Sequence, residues 1–308
     1  MGLKISGIFP LSVPIDTHFY QVFGIMVMAG KEQKINRGKK WISTLLHDVF
    51  RSTSDRYLHR KLQSFDNKEV FDNEDMAEHF AHMYLEEIAS QNVVKGFIID
   101  RIQFIEQVLG KERISKDTFI DIGDPDGIFI KGLNKTGFSA NISEIGVSNV
   151  HKKGIEAIRC DAEHLPFKKD SIDNILFFEI FEHLPNPIEG LKELHWVAGK
   201  SVILSIPFVS KTTIHPFRYN PDWPIFEHHI FELDDDDFRK IVTHAGFSVG
   251  HHIVVQVLKP ATLKEYIGFY LWDLIHYFRK DPEYQTIHRD LYVGCFKKFS
   301  VYYLIKKP

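Results

Sequence analysis

Short apolar runs alternate with longer mixed stretches along the middle of this chain. Between residues 96 and 257 the runs at 119–122, 138–142, 157–159, 174–178 and 202–206 are bounded by polar or glycine-containing segments. Runs of that length read as buried strands, and their alternation with helical patterns implies a parallel sheet covered on both faces. One helix is predicted over 97–109, leading into the first strand, and another over 234–245. The second opens on Asp234, Asp235, Asp236 and Asp237, which suits the positive end of a helix dipole, and Gly246 closes it. Residues 248–257 read as a sixth strand and 299–305 as a seventh.

The flanks lack this alternation. Residues 1–95 read mostly helical. Met76, Phe80, Met83, Tyr84 and Ile88 recur at helical spacing behind a candidate cap at Asn73. The polar stretch 51–67 predicts a loop or an exposed helix. An aromatic helical segment at 266–278 interrupts the approach to the last strand. The expected organisation is an N-terminal helical cap over 1–95 and an α/β domain over 96–308, with a helical insertion at about 259–295.

Composition narrows the function classes. The 308 residues are 44% hydrophobic and 26% charged, an ordinary globular balance. A formal charge of -3 gives no general surface for polyanions, so nucleic acid is not the first-choice partner. Cys160 and Cys295 have neither metal-type nor redox-type spacing, which favours a reduced, cytoplasmic protein. The apolar run 19–29 is too short to span a bilayer, and no integral membrane segment is expected. The pattern leaves the oligomeric state open.

The chemistry concentrates between residues 117 and 207. The first strand runs into Asp121-Ile122-Gly123-Asp124-Pro125-Asp126-Gly127. Glycines let a backbone approach a ligand closely, and the helix that follows offers N–H groups at the carboxyl end of the sheet. Further on come Asp161-Ala162-Glu163-His164-Leu165-Pro166-Phe167, then Ser171-Ile172-Asp173, then Glu179-Ile180-Phe181-Glu182-His183-Leu184-Pro185. Their order and spacing resemble the class I S-adenosylmethionine (SAM) dependent methyltransferases over about half of the chain. The resemblance implies a Rossmann-like doubly wound sheet of seven strands, mostly parallel, with the last strand returning antiparallel beside the fifth.

It also implies a cofactor site for SAM. Asp121, Gly123 and Gly127 match fixed positions of the family's glycine turn, and the first two would contact the methionine end. Asn141 stands where the family carries a ribose-binding carboxylate, with Ile142 flanking the adenine. Asp161 and Ala162 match the residues that meet the adenine amine and ring. Glu179 would lie by the sulfonium. The sequence departs from the family pattern at Pro125 and Asn141, which keeps a catalytically silent binding module in view. A NAD-type dehydrogenase fits less well, because the turn is not G-x-G-x-x-G.

His183 and His229 are the candidate bases for the acceptor's proton. If residues 179–183 are helical, Glu179, Glu182 and His183 share one face. With His229 they would form a ligand set for a divalent metal, similar to that of small-RNA 3′-end 2′-O-methyltransferases. The first reading assigns no metal. It is a methyltransferase for a small, apolar or aromatic acceptor, walled by the proline- and aromatic-rich stretch 215–224 and by Tyr266–Trp272. A metal-assisted O-methyltransferase acting on a nucleic-acid end is the alternative.

Overall fold

The computed structural model describes residues 32–66, 88–134, 137–209, 211–214, 229–256, 259–278 and 298–307. The stretch 215–224 lies outside them, as does the expected helix at 73–88 except for its last residue. The elements in chain order are α1 (Glu32–Gln63), α2 (Ile88–Lys116), β1 (Phe119–Ile122), α3 (Ile128–Gly132), β2 (Phe138–Asn141), α4 (Glu144–Lys152) and β3 (Glu156–Arg159). After these come β4 (Ile172–Phe178), a 3-10 turn (Phe181–His183), α5 (Pro187–Val197), β5 (Ala198–Pro207), β6 (Thr213–Ile214) and β7 (Phe231–Glu232). The chain closes with α6 (Asp235–His244), β8 (Phe247–Gln256), α7 (Leu263–Phe278) and β9 (Lys298–Lys306). Residues 1–48 and 49–308 form two units, and the second contains the sheet.

Seven strands form one sheet in the order β3-β2-β1-β4-β5-β9-β8. β1 pairs in parallel with β2 (Ile120 beside Phe138) and with β4 (Ile120 beside Ile175). β9 runs antiparallel against both β5 (Val202 beside Leu304) and β8 (Val249 beside Leu304). This is the doubly wound topology expected from the sequence, including the antiparallel last strand. The chain winds outward from β1 to β3 and then crosses back to β4. The carboxyl ends of β1 and β4 therefore flank a topological switch point, where open α/β sheets bind ligands.

Strand alternation builds two cores. Phe119, Leu176, Phe178, Ile203 and Val301 share a cluster with Ile98, Ile102 and Ile105 of α2. Ile120, Ile175, Phe177, Val202, Leu204 and Leu304 belong to a second cluster, with Leu191 and Leu194 of α5 and Phe238 and Val242 of α6. Successive strand residues point to opposite faces, so adjacent apolar positions serve different cores. The strands read as continuous apolar runs for that reason. Each large side chain so buried contributes about 1.5–3 kcal/mol.

The structure departs from the sequence expectation in three places. Residues 51–63 continue α1 as a helix with two faces: Arg51, Asp55, His59 and Arg60 are exposed, as expected, but Thr53, Ser54 and Tyr57 are buried. The hydroxyls of Thr53 and Ser54 donate to the carbonyls of Val49 and Arg51, at 2.7 and 2.9 Å. Internal bonds of this kind let polar residues occupy an inward face. Helix α2 outruns its predicted end at 109. Gly110 (φ 72) kinks it, and the helix resumes to Lys116. The pair β6–β7, two residues each, is too short for any periodicity to announce. Among the described residues no helix is long and apolar enough to cross a membrane.

Candidate functional site

Asp121 is the third residue of β1 and shares a sheet face with Phe119, the face covered by α2. It is buried, and its Oδ2 has no hydrogen-bond partner among the described residues. Burial, reinforced by the neighbouring Asp124 carboxylate, pushes the Asp121 carboxyl well above the usual range, while Arg101 pulls against that shift. Gly123 follows with φ 95, and its N–H donates to Ala140 O at 2.8 Å. A Cβ there would stand 2.2 Å from Cδ1 of Ile180. The chain has to be glycine at this point for two reasons, the left-handed backbone and the close approach.

The turn that follows explains how proline is accommodated. The Asp124 carboxylate accepts from the N–H groups of Asp126 (3.0 Å) and Ile128, with a longer contact from Phe129. It thereby caps α3, and Pro125, which has no N–H to offer, removes nothing the cap requires. Lys153 forms a buried ion pair with Asp126 at 3.1 Å. Gly127 sits at φ 67 ahead of α3. With Asp124 occupying the start of that helix, the turn is not arranged for a pyrophosphate. This counts against the dinucleotide reading on structural grounds.

Asn141 ends β2 with its amide already engaged. Its Nδ2 donates to Gly123 O at 3.1 Å, and its Oδ1 accepts from Ser143 N at 2.8 Å. The side chain ties the β1 turn to the β2 turn. One N–H and one lone pair are left over. Ile142 beside it is 47% exposed. Asp161 and Ala162 lie on a tight turn closed by His164 N to Asp161 O at 3.0 Å, and Asp161 Oδ1 accepts from Glu163 N at 2.9 Å. Just upstream, burial and then Asp161 push the Cys160 thiol up to about 11, so it stays protonated at neutral pH.

Glu179 follows β4 with φ 55, a conformation that a non-glycine residue rarely adopts. Residues 179–183 are therefore not one helix. Only Phe181–His183 make a 3-10 turn, and Glu179 lies outside both that turn and the cluster of Glu182, His183 and His229. Its Oε1 accepts from Ser205 Oγ at 2.6 Å and lies 2.9 Å from Nη2 of Arg101. The expected shared face fails because the left-handed residue reverses the backbone before the turn begins.

The other three members of that expected set do converge. Ligand atoms of Glu182, His183 and His229 lie within 4.8 Å of one another, with Glu182 buried and both histidines half-buried. The two imidazole rings meet edge to face at 4.6 Å. Ile230 N donates to Glu182 O at 2.8 Å, which fixes His229 beside the 3-10 turn. His229 Nδ1 lies 3.3 Å from Glu232 Oε1.

A methyltransferase-domain family model matches residues 90–252, just over half of the chain. The chain belongs to that family. Within it, two curated relatives are the probable S-adenosylmethionine-dependent methyltransferases of Mycobacterium tuberculosis strains CDC 1551 and H37Rv. Each is 23% identical over 159 residues, 50% of this chain and 57% of the relative. The match thus spans little more than half the length of those relatives. Among solved structures, a Galdieria sulphuraria protein described as a sarcosine dimethylglycine methyltransferase covers 76% of this chain and 99% of its own. Its TM-score is 0.50 at 12% identity, a likeness of fold.

Two residues at this site escape motif reading, Arg101 and Ser205. Both are buried. Arg101 stands in the apolar stripe of α2, among Ile98, Ile102 and Ile105, where an arginine is out of pattern. That misplaced charge is the signal that could have found it. Ser205 sits in β5 on the same sheet face as Ile203 and carries no comparable signal.

Proposed function

We propose that this protein is a SAM-dependent methyltransferase acting on a small, apolar or aromatic acceptor. One observation carries the reading. Asp121 and Gly123 at the end of β1 and Glu179 at the end of β4 flank the switch point, where a buried carboxylate oxygen of Asp121 lacks a partner among the described residues. Bound there, SAM supplies a methyl carbon already activated by a sulfonium. The protein's task is then to hold, orient and keep dry.

The residues divide that task as follows. Asp121 and Glu179 provide acidic groups for the cationic end of the cofactor. Gly123 and Gly127 let the backbone pass close beneath it. The remaining N–H and lone pair of Asn141 serve the ribose hydroxyls. Asp161 and Ala162 receive the adenine edge, and exposed Ile142 covers its face. His183 and His229 stand at the acceptor end, positioned to take a proton from a hydroxyl or amine as it is methylated. The acceptor class rests on the aromatic-rich sequence of 215–224 and of Tyr266–Trp272.

A second reading has an observation of its own. Two imidazoles and a buried carboxylate within 4.8 Å form a donor set suited to a divalent transition metal. The contact between His229 Nδ1 and Glu232 is the outer carboxylate such a ligand commonly has. A metal held there would make the acceptor an oxygen nucleophile, and the histidines would be ligands in place of bases.

Calorimetric titration with SAM and with S-adenosylhomocysteine, with and without Mn(II), tests both readings. Micromolar binding without metal supports the first reading. Binding or turnover that requires Mn(II), and is lost in His229→Ala, supports the second. If neither nucleoside binds, the enzyme reading fails and a silent binding module takes its place.

A further inference from the structure

Helix α7 carries apolar residues on two opposite faces, one packed into the fold and the other open to solvent. Glu265, Gly268 and Phe269 make the inner face and are buried. Both terminal nitrogens of Arg56 in α1 bond Glu265, and a Cβ on Gly268 would stand 2.9 Å from the methyl groups of Val49. Leu263, Tyr266 and Ile267 point the other way and are 76%, 51% and 45% exposed. Half-buried Tyr270 continues the same stripe at i, i+3, i+4 and i+7. Single exposed apolar residues are ordinary on a protein surface, whereas three on one face of one turn form a patch. The helix has 16 residues. That is short of the roughly 20 needed to cross a bilayer, so this face can lie on an apolar phase and not span it.

The charges around the patch decide what it suits. Lys259 and Lys264 are both exposed. Between residues 259 and 271 the acid is Glu265, and it is turned inward, its charge met by Arg56. One turn beyond Arg56 on α1, Arg60 is exposed as well and donates through Nε to Arg56 O at 3.4 Å. The exposed charge of the 259–271 segment is therefore basic throughout. Leucine, tyrosine and isoleucine edged by lysines fit the headgroup layer of a bilayer. The apolar side chains enter its acyl boundary, and the ammonium groups reach anionic lipid phosphates. A second copy of the same face would instead set lysine against lysine, a repulsive pairing.

We propose that the exposed face of α7 docks on an anionic membrane surface, with Leu263, Tyr266 and Ile267 entering the headgroup layer and Lys259 and Lys264 meeting lipid phosphates. The topology gives this docking a use. β9 runs antiparallel to both β5 and β8, so β8 ends at the same edge of the sheet as β1 and β4. The segment leading to α7 leaves from that edge. A docked α7 holds the carboxyl edge near the bilayer, where an apolar acceptor dissolves. This last consequence rests on the methyltransferase reading; the docking itself does not.

Flotation of the full chain tests the docking, with vesicles of phosphatidylcholine alone and of phosphatidylcholine with about one third phosphatidylglycerol, and no cofactor added. The protein should float with the anionic vesicles, only weakly with the neutral ones, and should be released as salt rises. Leu263→Ser combined with Ile267→Ser should lower the partition coefficient about tenfold or more. Lys259→Gln and Lys264→Gln should each lower it about fivefold. All four side chains are exposed, so melting temperatures should stay at the wild-type value, which separates lost docking from lost folding. The proposal is overturned if the protein floats with neither vesicle, if it floats equally with both, or if the substitutions leave partition unchanged. Dimerisation in light scattering that Leu263→Ser with Ile267→Ser abolishes would give the face to a second copy, and overturns the proposal too. Calorimetry with S-adenosylhomocysteine reads the cofactor site separately, so failed docking and a failed methyltransferase reading give different results.

Discussion

Glu179 shows what a single residue can commit a site to. At φ 55 its backbone carries a cost of order 1–3 kcal/mol, tolerated because Arg101 and Ser205 hold the side chain. Gly123 presents the reverse case, a residue with nothing to hold. Gly123→Ala should destabilise the protein by about 1–3 kcal/mol and weaken SAM binding. Adding Ile180→Ala should recover the part due to the 2.2 Å clash and leave the part due to φ 95. Chemical denaturation of the single and double variants separates the two. Asp121 is a site residue whose function costs stability. Its folded-state pKa is raised, so ionising it in place is unfavourable. Below pH about 4 the carboxyl is neutral in both folded and unfolded chains, and Asp121→Asn should leave stability unchanged. As pH rises above that value, the unfolded chain gains by ionising, and the wild type should become progressively less stable than Asp121→Asn. SAM affinity should fall in the same variant. Melting curves from pH 3 to 8 with a parallel titration would show the trade.

Among the elements, α7 illustrates a start signal that can be read directly from residue types. Thr262 and Glu265 form a capping box: Thr262 Oγ1 accepts from Glu265 N, and Glu265 Oε2 accepts from Thr262 N at 3.2 Å and from Ala261 N at 2.8 Å. Arg56 of α1 then clasps the same carboxylate through both terminal nitrogens, at 2.6 and 2.5 Å. Burial works to raise Glu265, but Arg56 and the two N–H groups outweigh it and hold the carboxyl down at about 2. A depressed acid contributes stability that is complete above its unfolded value, near 4.3, and is lost as pH falls through the folded value. Glu265→Gln should therefore cost about 2 kcal/mol at pH 7, a gap that narrows between pH 4 and 2. Urea titrations at several pH values check the sign. A gap that widened on acidification would mean that Arg56 is not the partner that matters. The partnership itself, between residues 209 positions apart, is invisible in the local pattern.

For the whole molecule, the decisive feature is the strand order. A sheet in the order β3-β2-β1-β4-β5-β9-β8 opens at one switch point, and the residues proposed for cofactor and acceptor gather around its carboxyl edge. A ligand that binds only the folded state stabilises the entire cooperative unit. S-adenosylhomocysteine at about a hundred times its dissociation constant should add about 2.7 kcal/mol. That corresponds to a rise in melting temperature of about 5 °C or more. The shift should be absent in Asp121→Ala, and a full shift in that variant would sink the placement of the site. The sequence by itself determined the strands, their parallel winding and the two turns that mark the methyltransferase family. Those depend on local alternation and on glycine and aspartate at fixed spacing, which are properties of neighbouring residues. Tertiary structure decided the rest. It left Glu179 outside the 3-10 turn that carries Glu182 and His183, engaged half of the Asn141 amide, filled the start of α3 with Asp124, and brought Arg101 from a preceding helix to Glu179 at the end of β4. Each of these turns on what a side chain meets across the fold, and distant partners leave no period in the chain.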